Sequence, residues 1–96
     1  TFFAADNPQG EALAKVIQNH LNKVTKAEPQ TGEYFHENAR TGDFYLLLNT
    51  EIPGVIIEVG FITSPGDKKL LATDSYRKKL AEAICEGIEG YLAYPP

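Results

Sequence analysis

The stretch Pro53-Gly54-Val55-Ile56-Ile57-Glu58-Val59-Gly60-Phe61 sets one carboxylate inside an otherwise apolar run. A segment this rich in Val and Ile, opened by Pro-Gly, predicts a buried strand. A carboxylate inside such a strand loses its hydration at considerable cost or stays protonated. Glu58 therefore either pairs with a Lys or Arg from a neighbouring element or faces a site. With the two-residue period of a strand, Val55, Ile57, Val59 and Phe61 share one face, and Ile56, Glu58 and Gly60 the other. The carboxylate then stands beside a residue with no side chain, which leaves room for a ligand. The strand over residues 55–61 is expected inside a sheet, with Glu58 at its C-terminal end pointing into an open pocket, where α/β sheets gather their ligand sites.

Outward from this stretch the punctuation is clear. Upstream, Phe44-Tyr45-Leu46-Leu47-Leu48 is a second apolar run, short enough to be a strand or a helical turn, and Asn49-Thr50-Glu51-Ile52 turns the chain into the Glu58 segment. Downstream, Ser64-Pro65 gives a cap followed by Pro at the first helical position, predicting a short helix to about residue 72. Asp74-Ser75 then starts a last helix whose stripe is Tyr76, Leu80, Ile84, Ile88 and Leu92, with Ala81, Gly87 and Tyr91 beside it. Near the start, Asp6-Asn7-Pro8 signals an amphipathic helix over roughly residues 8–23, with Leu13, Val16, Ile17, Leu21 and Val24 inward and Lys15, Gln18, Asn19, Asn22 and Lys23 outward. Between them, residues 26–43 carry no periodicity and predict a long loop of the kind that lines or covers a binding site. The opening Thr1-Phe2-Phe3-Ala4 reads as a strand entered part-way through a longer polypeptide. Helices between strands indicate an α/β architecture.

Composition narrows the function classes. The 96 residues, 43% of them apolar, suit one globular unit. A net charge of −4 with scattered basic residues argues against nucleic acid, which needs Lys and Arg gathered on one face. No stretch approaches the roughly 20 apolar residues of a membrane-spanning segment. The single Cys85 excludes an internal disulfide and a Cys-rich zinc module.

The run from Phe44-Tyr45-Leu46-Leu47-Leu48 through Asn49-Thr50-Glu51-Ile52-Pro53-Gly54-Val55-Ile56-Ile57-Glu58-Val59-Gly60-Phe61 to Ile62-Thr63-Ser64-Pro65 resembles the closing motif of the zinc-dependent N-acetylmuramoyl-L-alanine amidases of the amidase-3 type. The likeness continues through Leu70-Leu71 and the Tyr76 to Tyr91 pattern, and back through Leu13-Ala14, Ile17-Gln18 and Leu21, so that it covers nearly the whole chain. It implies the C-terminal part of a three-layer α/β/α domain with a mixed, largely parallel sheet, from an exported peptidoglycan hydrolase acting at the cell wall. By the same resemblance Glu58 is the catalytic Glu acting on zinc-activated water, and the metal is held by two His and one Glu. Those ligands lie, in the family, in motifs upstream of the segment that begins here at Thr1, and the 96 residues alone are expected to bind no catalytic zinc. The family often has Arg where Leu48 stands and Asn where Thr63 or Ser64 stands, so no substrate contact is carried over to those positions.

His20 and His36 fall at no ligand position of the family and have no partner at metal-binding spacing, and Cys85 reads as a small packed residue on the last helix. The reading is a peptidoglycan amidase with Glu58 as general acid/base, its wording closest to the spore-cortex type, and an exposed sheet edge through which the isolated chain would self-associate. Two rivals remain: a zinc carboxypeptidase-like hydrolase, and a non-catalytic module whose loop at 26–43 binds glycan or protein.

Overall fold

A computed structural model describes residues 1–28 and 37–94. It contains a short strand β1 (Phe2–Phe3), helix α1 (Pro8–Thr25), strand β2 (Arg40–Thr41), and helices α2 (Tyr45–Leu48), α3 (Pro65–Leu71) and α4 (Asp74–Ala93). β1 pairs in parallel with β2, Phe2 opposite Arg40 and Phe3 opposite Thr41. On its other edge Phe2 forms a single antiparallel bridge with Ile56, its N–H donating to the Ile56 carbonyl at 2.8 Å and its carbonyl accepting from the Ile56 N–H at 3.0 Å. β1 is thus central, and mixed helix with a small parallel sheet agrees with an α/β chain. The bend predicted as loop over 26–43 contains β2; residues 29–36, including His36, lie outside the described residues.

The predicted strand over residues 55–61 is reduced to that one bridge: beyond Ile56 the backbone from residue 57 to residue 60 makes no backbone hydrogen bond among the described residues. The inward face was read correctly at its start: Val55 and Ile57 pack on a core of Ile17 and Leu21 from α1 and Tyr76, Leu80 and Ala83 from α4. Val59 and Phe61, past the bridge, are exposed.

α1 begins as the sequence specifies. The Asn7 side chain accepts the Gly10 N–H at 2.9 Å, Pro8 occupies the first turn, and the helix runs two residues past its expected end. The same Asn7 amide donates to the Ile52 carbonyl at 2.8 Å, which ties the helix start to the turn leading into the Glu58 stretch. Asn7→Ala is therefore expected to cost about 1–2 kcal/mol in chemical denaturation, while Asn7→Asp, which keeps the cap and loses the donor, costs less. Gln18, expected on the outer face, is buried.

The run at 44–48 resolves to the short helix α2, with Leu47 buried and Tyr45, Leu46 and Leu48 exposed. α3 starts at Pro65 as expected, although the Ser64 side chain makes no cap bond. In α4 the buried residues are Tyr76, Leu80, Ala83 and Gly87, whereas Ile88 and Leu92 are exposed. A stripe built only from four-residue steps gains about 40° per step at about 100° per residue, so Leu92 has turned nearly to the far side from Tyr76. The true seam alternates four- and three-residue steps. No helix among the described residues is long and apolar enough to cross a membrane.

Candidate functional site

A cavity of about 130 Å³ opens where β1 begins. Thr1, Phe2 and Arg40 form one wall, the Glu58-Val59-Gly60-Phe61 strap forms another, and Leu21, Tyr76 and Leu80 form an apolar floor. Glu58 therefore lines a pocket, as the sequence predicted, and it does so without being buried: its side chain is solvent-exposed. The apolar run that surrounds it in sequence does not enclose it in space, because the strand that would have buried it ends at Ile56. Among the described residues Glu58 joins no ion pair and no side-chain hydrogen bond. Of the two options left open by the sequence, a charged partner is not found among the described residues.

Gly60 has a different use from the one expected. A Cβ there would lie 3.2 Å from Leu71 Cδ1 and 3.4 Å from Asp67 Cβ, so the missing side chain makes way for α3 rather than for a ligand. Asp67 completes that contact by accepting the Phe61 N–H at 3.0 Å, which anchors the strap three residues past Glu58. α3 thus positions the segment that carries the carboxylate. Sequence periodicity gave no signal for Asp67, because its role is a contact to a backbone N–H from a different element.

The polar rim holds further residues that sequence reasoning missed. Gln18 reaches the cavity from α1, its Oε1 accepting from the Thr1 amine at 2.7 Å and its Nε2 donating to Asn22 Oδ1 at 2.9 Å. Thr1 Oγ1 is buried with no hydrogen-bond partner among the described residues. Burial raises the Tyr76 hydroxyl above its usual range, with Glu28 and Asp67 adding to it.

The other candidates are placed away from chemistry. His20 is half-buried on α1, with Nδ1 at 2.9 Å from the Val16 carbonyl. Cys85 is exposed, not packed as expected, and its thiol donates to Glu89 Oε1 at 3.4 Å. That bond and the negative charges of Glu89 and Glu86 raise the thiol above its ordinary range, which disfavours the nucleophilic thiolate. No group of three or more His, Cys, Asp or Glu among the described residues could hold a metal ion.

Comparison with known proteins agrees with the resemblance. The family model described as N-acetylmuramoyl-L-alanine amidase matches residues 1–90. The germination-specific N-acetylmuramoyl-L-alanine amidase of Bacillus subtilis (strain 168) is 31% identical over 92 residues, 96% of this chain and 36% of that protein. The N-acetylmuramoyl-L-alanine amidase AmiA of Escherichia coli (strain K12) is 39% identical over 55 residues, 57% of this chain and 19% of that protein. The probable cell wall amidase LytH of Staphylococcus saprophyticus is 31% identical over 83 residues, 86% of this chain and 26% of that protein. The chain thus spans 19% to 36% of the length of these relatives. No solved structure matches it.

Proposed function

This chain belongs to the amidase-3 family of N-acetylmuramoyl-L-alanine amidases, and we propose that it is the C-terminal portion of an amidase catalytic domain, contributing Glu58 as general acid/base. The substrate on this reading is peptidoglycan, and the bond cleaved is the amide between the lactyl group of N-acetylmuramic acid and L-alanine. One observation carries the proposal: an unpaired, solvent-reached carboxylate on the rim of the cavity, on a strap held by α3. A carboxylate so placed takes the proton of an attacking water and hands it to the departing alanine amine, which leaves poorly unless protonated.

The described residues do not make a metal site on their own. By the family likeness, zinc held by residues outside the 96 supplies the charge that activates water, within a three-layer α/β/α domain that the small sheet extends. The same likeness supports an exported enzyme working at the cell wall. The germination-specific relative, matched over nearly the whole chain, supports a spore-cortex role. Self-association of the 96 residues through the unpaired backbone at 57–60 belongs to the same proposal.

The full-length protein, incubated with purified peptidoglycan, tests the reading by mass spectrometry of the products. Expected are stem peptides with free L-alanine amino termini and intact glycan, lost on chelation and restored by zinc. Release of single C-terminal amino acids would instead mark a carboxypeptidase, and retention on the glycan without cleavage a binding module.

A further inference from the structure

Arg40 stands in a place that the reaction outlined above does not use. Its partner in the parallel ladder is Phe2, and Phe2 is also bridged to Ile56 on its other edge. Residues opposite one another project from the same face of a sheet, so Arg40, Phe2 and Ile56 form a row. Glu58 lies two residues past Ile56, on the strap beyond the bridge. Arg40 and Glu58 are both among the residues that line the cavity.

Arg40 is exposed, and among the described residues its side chain joins no ion pair and no hydrogen bond. The two acids on the cavity rim leave it free: Glu58 does not pair with it, and the Asp67 carboxylate is taken by the Phe61 N–H. A guanidinium presents its donors as a planar fork that matches a carboxylate with two parallel hydrogen bonds.

We propose that Arg40 is a specificity residue that binds a substrate carboxylate two residues beyond the bond at Glu58, the α-carboxylate of the D-glutamate that follows L-alanine in the stem peptide. The inference rests on the amidase reading for its substrate. It adds a direction: the peptide runs along the cavity from Glu58 at the reacting amide towards Arg40 on β2. Substrates in which that carboxylate is amidated lose the fork contact and are bound less well.

The test compares muramoyl-L-alanyl-D-glutamate with muramoyl-L-alanyl-D-isoglutamine as substrates of the full-length protein. The wild type is expected to favour the free acid by about tenfold or more in kcat/KM, as befits a charge-assisted pair. Arg40→Ala removes that preference by raising KM for the acid alone, Arg40→Lys keeps part of it, and kcat is unchanged in both. Equal losses on the two substrates, or an acid preference that survives Arg40→Ala, overturn the assignment. Titration with the dipeptides L-alanyl-D-glutamate and L-alanyl-D-isoglutamine separates this proposal from the one beneath it. Acid-selective, Arg40-dependent dipeptide binding together with no hydrolysis of either muramoyl substrate would sink the amidase reading and keep the anion site, whereas non-selective or absent dipeptide binding would sink the site itself.

Discussion

Glu58→Gln in the full-length protein is expected to lower hydrolysis of muropeptides by at least about 10²–10⁴-fold, the range that a positioned general acid/base contributes. The amide replaces the carboxylate with nearly the same shape, so substrate still enters the cavity and KM changes little. What is lost is the ability to take a proton from water and return it to the leaving amine. Because Glu58 is exposed and joins no ion pair among the described residues, folding does not draw on its charge. The melting temperature should therefore stay close to the wild type, as for surface substitutions that move stability by no more than about 0.5 kcal/mol. The two readouts together divide the function classes. A structural Glu58 would show its loss in the melt and spare the rate, and a binding module would have no rate to lose. Activity retained within a few-fold would place the proton transfer elsewhere.

Local rules were legible in the sequence where the determinants are themselves local. Asn7-Pro8 set the start of α1, Pro65 marks that of α3 although Ser64 makes no cap bond, and the inward faces of Ile17 and Leu21 followed from three- and four-residue spacing. The apolar alternation at 55–61 likewise identified Val55 and Ile57 as core. It failed beyond Ile56 because a strand is not a property of its own residues alone: each backbone group needs a partner, and residues 57–60 find no backbone partner among the described residues. The cavity lining divides in the same way. Glu58 stood out because a charge in an apolar run is conspicuous in one dimension. Arg40 and Asp67 did not, because what they meet, a neighbouring strand and a distant N–H, is not written in their own segments.

Ile17→Ala is expected to destabilise the chain by about 3–5 kcal/mol, the upper part of the range for truncating a buried Ile. Ile17 is 1% exposed and sits where α1 meets α4, among Leu21, Tyr76, Leu80 and Ala83. The size of the loss depends on whether the helices can close over the vacated space, and here they cannot. At Gly87 the two backbones already touch: a Cβ built there would lie 2.8 Å from Ile17 Cα, closer than side-chain carbons come to any neighbour. Removing the Ile17 side chain leaves that backbone contact in place, so α1 and α4 cannot approach further and most of the cavity persists. A 96-residue chain has little stability in reserve, commonly about 5–15 kcal/mol for a whole domain, so the variant should melt far below the wild type or fail to fold at ordinary temperature. Ile17→Val, which keeps most of the volume, should cost only about 0.5–1.5 kcal/mol. Urea denaturation of the three proteins measures the series. A loss near 1 kcal/mol for Ile17→Ala would mean that the α1 and α4 seam relaxes, and that the close approach at Gly87 does not hold the helices apart.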